Sequence, residues 1–165
     1  MANRVFVSVN DDMKNTPPCN DEEFPQKVEQ FLKEVMERLH FDGEEISVLF
    51  CTDAFIQGLN KNYREIDSAT DVLSFENGEE YEDEDGKWIC SGDIAISIET
   101  VSKNADYFKG ENNTELKRVL IHGLLHLNGF DHGEEHIEMG KSPECEMLVL
   151  QEKTLQEFGG CSLWN

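Results

Sequence analysis

The sequence predicts one layered α/β or α+β domain over residues 1–165, with about four strands and about five helices. Three observations support this prediction. A length of 165 residues and a hydrophobic content of 38% suit a single buried core. Strand-like and helix-like segments alternate from the N-terminus. One segment, residues 112–127, is apolar around nearly its whole circumference, which predicts a buried central helix.

The N-terminal half alternates strands with helices. VFVSV, residues 5–9, has the period-two alternation of β-branched residues that predicts a strand. After a polar loop, apolar residues recur at helical spacing from Phe24, and this amphipathic helix is expected to end near residues 42–43. ISVLFCT, residues 46–52, predicts a second strand. Asp53 is then expected to cap a helix whose inner face is formed by Ile56, Leu59 and Tyr63.

A β-hairpin is predicted next. VLSF (72–75) and WICSGDIAISI (88–98) have strand character. The segment between them, residues 76–86, contains seven of the 35 acidic residues. We therefore expect a hairpin with a long solvated tip whose charges protect a sheet edge. Calcium binding by this tip is the alternative interpretation.

The rest of the chain predicts three helices. The first follows the hairpin over residues 99–107. The second begins near Asn112, where Glu115 suggests a capping box, and its apolar residues place it at the centre of the fold. The C-terminal stretch, residues 142–160, predicts a final helix that ends at a pair of glycines.

The composition restricts where the chain works. A formal charge of −21 repels polyanions at long range, which counts against general nucleic-acid binding. An approach by RNA would need a local basic groove, with these expected sources: Lys61, Arg64, Lys117 and Arg118. The five cysteines are scattered without a CxxC pair, and no apolar run reaches the roughly 18 residues of a membrane span. We expect a reduced cytoplasmic protein that makes no use of a membrane.

The segment IHGLLHLNGFDHGEE, residues 121–135, carries the strongest chemical signal. His122 and His126 are four residues apart on a helix, so both rings project from one face and can share one ion. Both lie in the last turns, where the negative end of the helix dipole favours a cation. Packing alone does not explain the polar stripe on this apolar helix, which consists of Glu115, Arg118, His122 and His126.

A third histidine completes the predicted metal site. Gly129 stands where a helix would end in a left-handed turn, and this reversal lets His132 reach the same ion. Three histidines leave the fourth position of a zinc ion open, which is typical of catalytic zinc. We therefore predict that one zinc ion binds His122, His126 and His132 and serves hydrolysis, although three imidazoles also accept nickel, cobalt or copper. His40 and His136 are not expected to bind the ion.

The same histidine spacing occurs in metzincin proteases, which place a glutamate directly after the first histidine as general base. Gly123 occupies that position here. Because the attacking water would lack its usual proton acceptor, the pattern argues against peptide hydrolysis. Asp131 is a nearby acid that either accepts a proton or orients a ligand histidine.

Arg64 is the candidate catalytic residue outside the histidine segment. It stands at a predicted helix end, and its guanidinium suits bidentate binding of a phosphate. Composition alone leaves an ordinary surface salt bridge as the alternative. Thr70, Asp71 and Ser74 follow in the same stretch, but spacing does not place them at the metal.

Three motifs together closely resemble the YbeY family of bacterial rRNA maturation factors, also called ribosome-associated endoribonucleases. They occur in the family's order and are LNKNYREIDSATDVLSF (59–75), SGDIAIS (91–97) and HGLLHLNGFDH (122–132). Phe130 stands where the family usually has tyrosine, and Ala69 where proline is common. Neither departure removes a metal ligand.

This resemblance implies a single-domain α/β fold, a zinc ion on His122, His126 and His132, and a functional role for Arg64. It also implies metal-dependent, single-strand-specific cleavage of RNA in maturation of the 3′ end of small-subunit ribosomal RNA and in ribosome quality control. Ribosomal RNA and the small ribosomal subunit are then the expected partners. Two alternatives stay open: a ribosome-assembly binding factor whose metal is structural, and another metallohydrolase such as a metzincin-like protease. No general base is identified.

Overall fold

A computed structural model describes residues 2–165. Within that range one sheet contains four strands, which are β1 (Arg4–Val9), β2 (Glu44–Cys51), β3 (Val72–Asp83) and β4 (Gly86–Ser97). The α-helices are α1 (Phe24–Arg38), α2 (Asp53–Arg64), α3 (Ile98–Tyr107), α4 (Asn112–Leu127) and α5 (Glu146–Glu157). A short 3-10 turn at Asp11–Met13 follows β1. The predicted mixed fold of four strands and five helices is confirmed.

The strand order brings several chain segments to one edge of the sheet. The order is β1, β2, β4, β3, with β1 and β4 parallel to β2 and with β3 antiparallel to β4. The carboxyl ends of β2 and β4 therefore share an edge with the start of β3. Helices α2 and α3 begin at this edge, directly after β2 and β4. Polar residues at these junctions consequently lie close together.

Helix α4 is the buried centre of the fold, as the sequence predicts. It packs against β3 and β4 on one side and against α3 and α5 on others. Its side chains fill the core because apolar residues occur on almost every side of the helix. Those with 0% exposure are Leu116, Leu120, Ile121, Leu124 and Leu125.

The acidic segment after residue 75 forms part of a strand. β3 continues to Asp83, which pairs with Gly86 of β4, so the predicted hairpin is present and its acidic part is exposed, but this part is paired strand and not a loop. Backbone hydrogen bonds pair these strands whatever their side chains, and the acidic side chains remain in water. Arg4 ties down the distal end, 2.7 Å from Asp83 and with its guanidinium 3.8 Å from the centre of the Trp88 ring. Within residues 2–165 the acidic side chains of this hairpin form no metal-binding group, which gives no support to calcium binding.

The cap of α2 also differs from the prediction. Thr52 caps the helix, since its hydroxyl accepts a hydrogen bond from the backbone N–H of Phe55 at 3.2 Å. Asp53, the predicted cap, is the first helical residue. Its carboxylate instead accepts hydrogen bonds from the hydroxyls of Ser97 and Thr100, which joins the start of α2 to the start of α3.

Other helix predictions need smaller corrections. Glu115 forms no capping box, because its carboxylate turns to the guanidinium of Arg118 at 3.0 Å. Helix α1 ends at Arg38, short of the predicted boundary, and His40 adopts a left-handed φ of 65°. Tyr63 does not join the core, since it is 69% exposed. No helix in residues 2–165 has both the length and the apolar character needed to cross a membrane.

Candidate metal centre and its cavity

Helix α4 and the turn that follows it bring three histidines together. His122 and His126 lie one helical turn apart, with ring centroids separated by 4.6 Å. Gly129 has a φ of 86°, so the chain reverses as predicted and returns His132 to within 5.2 Å of both rings, measured between centroids. One ligand atom from each of the three residues lies within 4.8 Å of the other two. These distances suit a single small metal ion.

The hydrogen bonds of the three rings determine which nitrogen is free. Each Nδ1 lies beside an oxygen: His122 beside the side-chain oxygen of Gln151 at 2.7 Å, His126 beside the carbonyl of Phe130 at 3.1 Å, and His132 beside the carbonyl of Glu135 at 2.7 Å. An oxygen acceptor requires Nδ1 to carry the proton. Each Nε2 is then an unprotonated donor that can ligate a metal, so the residues present fit a zinc ion.

Burial keeps two of these rings neutral. It lowers the pKa of His122 to about 4, and it is also the main cause of the lowered pKa of His126. The neighbouring histidines lower both values further, because a second positive charge so close is unfavourable. At neutral pH both side chains are in the form that binds metal.

Gly123 has a packing reason that the sequence does not reveal. A Cβ at this position would lie between 3.0 and 3.3 Å from the side chain of Ile94 on β4. Glycine therefore lets α4 approach the sheet closely, and the carbonyl of Gly123 accepts a hydrogen bond from Ser74 at 3.5 Å. The glutamate that metzincins carry here would have to displace Ile94, which is only 1% exposed.

The carboxylate of Asp131 is not the hydrogen-bond partner of any of the three histidine rings in residues 2–165. It accepts the backbone N–H of Gly133 at 3.0 Å and so closes the turn that contains His132, and this bond lowers its pKa. The positions of the rings depend instead on Gln151 and on two backbone carbonyls. Gln151 is 1% exposed and belongs to α5, far from the histidines in sequence. The motif contains no sign of this partner.

The histidines line a cavity of about 880 Å³ that also contains Arg64. Arg64 is the last residue of α2, and Glu65 after it adopts a left-handed φ of 60°. The guanidinium is exposed, and no ion pair or hydrogen bond joins it to another residue in the described range 2–165. The structure thus brings the two predicted parts of the site, Arg64 and the histidine cluster, to one cavity.

The cavity also contains residues that spacing could not place there. Thr70, Asp71 and Ser74 line it because β3 starts at the same edge of the sheet as α3. Asp71 accepts hydrogen bonds from the backbone N–H of Val72 at 2.8 Å and from the Asn104 side chain at 3.1 Å. Burial nevertheless raises its pKa. A carboxyl group whose pKa lies above its ordinary value therefore lines the cavity together with the histidines.

A chain of buried and partly buried polar groups joins the candidate metal centre to α5. Gln151, which holds His122, donates its amide to Glu152 at 3.0 Å. Glu152 binds Arg118, and Arg118 binds Glu115, each at 3.0 Å. The amide orientation of Gln151 is fixed by this carboxylate, so its oxygen faces the histidine. Three members of the polar stripe on α4, namely Glu115, Arg118 and His122, therefore belong to one connected network.

The expected basic groove was largely wrong. Lys117 is 1% exposed and donates to the carbonyls of Phe158 and Cys161 at 2.9 and 2.7 Å, away from the histidines. Arg118 lines the cavity but has two carboxylate partners. Lys61 lies 3.9 Å from Asp67. Of the four predicted cations, Arg64 is the one that faces the cavity without an acidic partner among residues 2–165.

The remaining histidines lie outside the cluster, as predicted. The ring of His136 is exposed and lies 5.5 Å from His132 between centroids, at the cavity wall. His40 is exposed in the turn after α1. Within residues 2–165 neither belongs to the group whose ligand atoms converge.

Together, the fold and the site define a class of small α+β proteins in which a central helix carries two histidines of a three-histidine cluster. Comparison with known proteins gives the family. The sequence model of the family described as Endoribonuclease YbeY matches residues 9–159. Endoribonuclease YbeY of Treponema denticola is 47% identical over 166 residues, which is 100% of this chain and 99% of that protein. Endoribonuclease YbeY of Aquifex aeolicus is 37% identical over 124 residues, covering 75% and 80% of the two chains.

A solved structure has the same fold. The solution structure of TM1509 from Thermotoga maritima matches with a TM-score of 0.60 and 26% identity, over 94% of this chain and 90% of that one. The chain belongs to the YbeY family. The resemblance seen in the three sequence motifs is thereby confirmed.

Proposed function

We propose that this chain is a zinc-dependent endoribonuclease that cleaves single-stranded RNA during maturation of ribosomal RNA. The observation that carries the proposal is the content of one cavity: three histidines with free Nε2 atoms and an unpaired Arg64. The names of the relatives, which are endoribonucleases, supply the substrate class.

The proposed metal ligands are His122, His126 and His132. A bound zinc ion supplies Lewis acidity, an open coordination position and an activated water at neutral pH. The protein's own contribution is to hold the three rings neutral and correctly oriented. Gln151 and the two backbone carbonyls do this by accepting the Nδ1 protons.

Arg64 is the proposed catalytic residue. Its planar guanidinium suits the oxygens of a phosphate, and it has no internal partner within residues 2–165 to give up first. In this role it orients the phosphodiester beside the histidines and stabilises the negative charge that builds on the phosphate oxygens as the bond breaks. Both effects require only that Arg64 and the three histidines line the same cavity.

Neither alternative has comparable support. A protease would need a base after the first histidine, and Gly123 packs there against Ile94. A binding factor with a structural metal would have its ion closed by a fourth protein ligand. Among residues 2–165 the converging group has three members. We further propose that the protein works in the cytoplasm, which its five unpaired cysteines support, and that the small ribosomal subunit is its partner, as the resemblance implies.

A cleavage assay with defined metal content tests the proposal. Purified protein is stripped with a chelator, reloaded with zinc and incubated with a single-stranded RNA and with its duplex. Cleavage of the single strand is expected in the loaded protein alone, and the His126→Ala variant, prepared identically, controls for contaminating nuclease. RNA binding without cleavage would favour the binding factor, and casein hydrolysis would favour the protease. Cleavage that persists after metal analysis shows zinc to be absent contradicts the proposal.

A further inference from the structure

The charges around the cavity raise the question of how it attracts RNA. Five carboxylates line it, namely Asp71, Glu76, Glu115, Asp131 and Glu135. Against them stand Arg64 and the already paired Arg118. A formal charge of −21 adds long-range repulsion. Phosphate contacts, which dominate most nucleic-acid affinity, therefore have few cations available here. The cavity needs a contact to RNA that does not depend on charge.

An exposed aromatic side chain in the cavity wall offers such a contact. Tyr107, the last residue of α3, lines the cavity and is 66% exposed. Phe108 supports it, with ring centroids 5.0 Å apart in an edge-to-face arrangement. The Phe108 ring lies 5.7 Å from the guanidinium of Arg118, which the ion-pair network holds in place. The tyrosine ring is therefore supported on one side by Phe108, and most of it remains exposed to the cavity.

The aromatic pair lines the same cavity as the three histidines. Arg118, against which Phe108 packs, is four residues before His122 on α4. Four residues are about one helical turn, with a rise of about 6 Å, so the residue that Phe108 packs against and His122 lie on neighbouring turns of α4. Arg64 reaches the cavity from α2, a separate helix. A nucleotide whose phosphate lies between Arg64 and the histidines can place a neighbouring base near Tyr107.

Exposure alone would not single out this residue, because isolated surface aromatics are common. Phe6 on β1 is 55% exposed, but among residues 2–165 it is not part of the lining of the histidine cavity. Tyr107 differs from Phe6 in its position, since it shares a wall with the proposed ligands. Phe6 is therefore a matched control for the experiment below.

We propose that Tyr107, supported by Phe108, stacks on an unpaired base of the RNA next to the phosphate that is cleaved. The inference rests on the proposed function, since it assigns a specificity residue to that same site. Stacking on aromatic rings contributes roughly 1–3 kcal/mol per base and accepts any base, because every base has a π face. A base in a duplex is already stacked and paired, so the contact selects single strands without reading sequence.

The first test compares variants in RNA cleavage. Tyr107→Ala is expected to raise KM for a single-stranded RNA by about tenfold while kcat stays within about twofold, since stacking holds substrate without touching the reacting atoms. Tyr107→Trp and Tyr107→Phe keep a π face and should retain the wild-type KM, and Phe6→Ala should leave both constants unchanged. Zinc content and the midpoint of thermal unfolding are measured for every variant. A Tyr107→Ala variant with the KM of the wild type overturns the inference.

The second test removes the base instead of the ring. A set of single-stranded RNAs, each with one abasic nucleotide, is titrated against protein from which a chelator has removed the metal. Binding is then measured without cleavage. At one position the abasic RNA should bind about tenfold more weakly to the wild type and show no further loss with Tyr107→Ala. Equal abasic penalties in both proteins overturn the stacking contact. If the wild type neither binds nor cleaves RNA, the proposed function has failed instead, so the two failures are distinguishable.

Discussion

The cavity contains two arginines whose surroundings are opposite. Arg118 lies on the buried helix α4, and its guanidinium is 3.0 Å from both Glu115 and Glu152. Arg64 ends α2 at the surface and has no acidic partner within residues 2–165. Both residues line the same space beside the histidines. Arg118 is committed to the fold, because two carboxylates hold its guanidinium, whereas Arg64 is available to bind a ligand.

This contrast teaches how a strongly acidic chain can still act on a phosphodiester. With 35 acidic residues and 14 lysines and arginines, most cations have a carboxylate nearby. The feature that matters is then the absence of a partner in the described structure, which composition cannot reveal. Arg64 meets that condition because α2 ends there and the chain turns away through the left-handed Glu65.

The largest expected effect concerns the free arginine. Arg64→Ala should lower kcat for cleavage of single-stranded RNA by about 10³-fold, because it removes the charge proposed to stabilise the phosphate in the transition state. Zinc content and stability to urea should stay at the wild-type level, since the side chain is exposed and unpaired among residues 2–165. Lys61→Ala, which changes an exposed cation three residues away, is the control. Near wild-type cleavage by Arg64→Ala would contradict the proposed catalytic role of Arg64.

The opposite pattern is expected for the committed arginine. Arg118→Met should lower the free energy of unfolding by about 3 kcal/mol, because Glu115, with 4% of its side chain exposed, loses its ion-pair partner. Urea denaturation measures this loss. The double variant Glu115→Gln with Arg118→Met should recover part of it, since no buried carboxylate is then left unpaired. If Arg118→Met is as stable as the wild type, Arg118 is not committed to the fold.

The sequence contains enough information for the centre of this site. Helix periodicity places His122 and His126 on one face of α4, and the positive φ of Gly129 returns His132 to them. Both are local properties of the sequence. The buried state of Lys117 was also present in the pattern. It lies on the same side of α4 as Leu120, Ile121 and Leu124, all with 0% exposure, whereas its neighbour Arg118 faces the cavity. The prediction of a basic groove failed because it counted charges without assigning them to helix faces.

Other parts of the site depend on tertiary contacts that no local pattern encodes. Gln151 reaches His122 across 29 positions of sequence, from a helix whose exact start the sequence did not give. Thr70 and Asp71 reach the cavity through the strand order, which places the start of β3 beside the end of β4, at the edge of the sheet where β2 also ends. The predicted hairpin is present, but its strands extend through the acidic segment, because strand pairing in water tolerates the acidic composition that elsewhere marks a loop.

The network that holds Arg118 also reaches His122, one of the proposed metal ligands, which gives a smaller prediction. Gln151→Leu should weaken zinc binding by roughly 10- to 100-fold, because His122 loses the acceptor that fixes its tautomer. Competition with a chromophoric chelator measures this affinity directly, without reference to activity. Gln151→Glu retains an oxygen acceptor and should keep most of the affinity. If Gln151→Leu binds zinc as tightly as the wild type, Gln151 only fills space and does not orient His122.

The smallest effect separates the two arginines through salt. Binding of single-stranded RNA to the chelated protein should weaken by only about threefold between 50 and 200 mM salt, since one neutralised phosphate gives a slope near −0.7 in log K against log salt. Arg64→Gln should flatten this slope, whereas Arg118→Met should leave it unchanged, because that guanidinium is already neutralised by Glu115 and Glu152. Screening of the −21 charge acts in the opposite direction and keeps the slope shallow. A slope near −3 would mean that several cations reach phosphates, and the distinction between a committed and an available arginine would then no longer explain RNA binding.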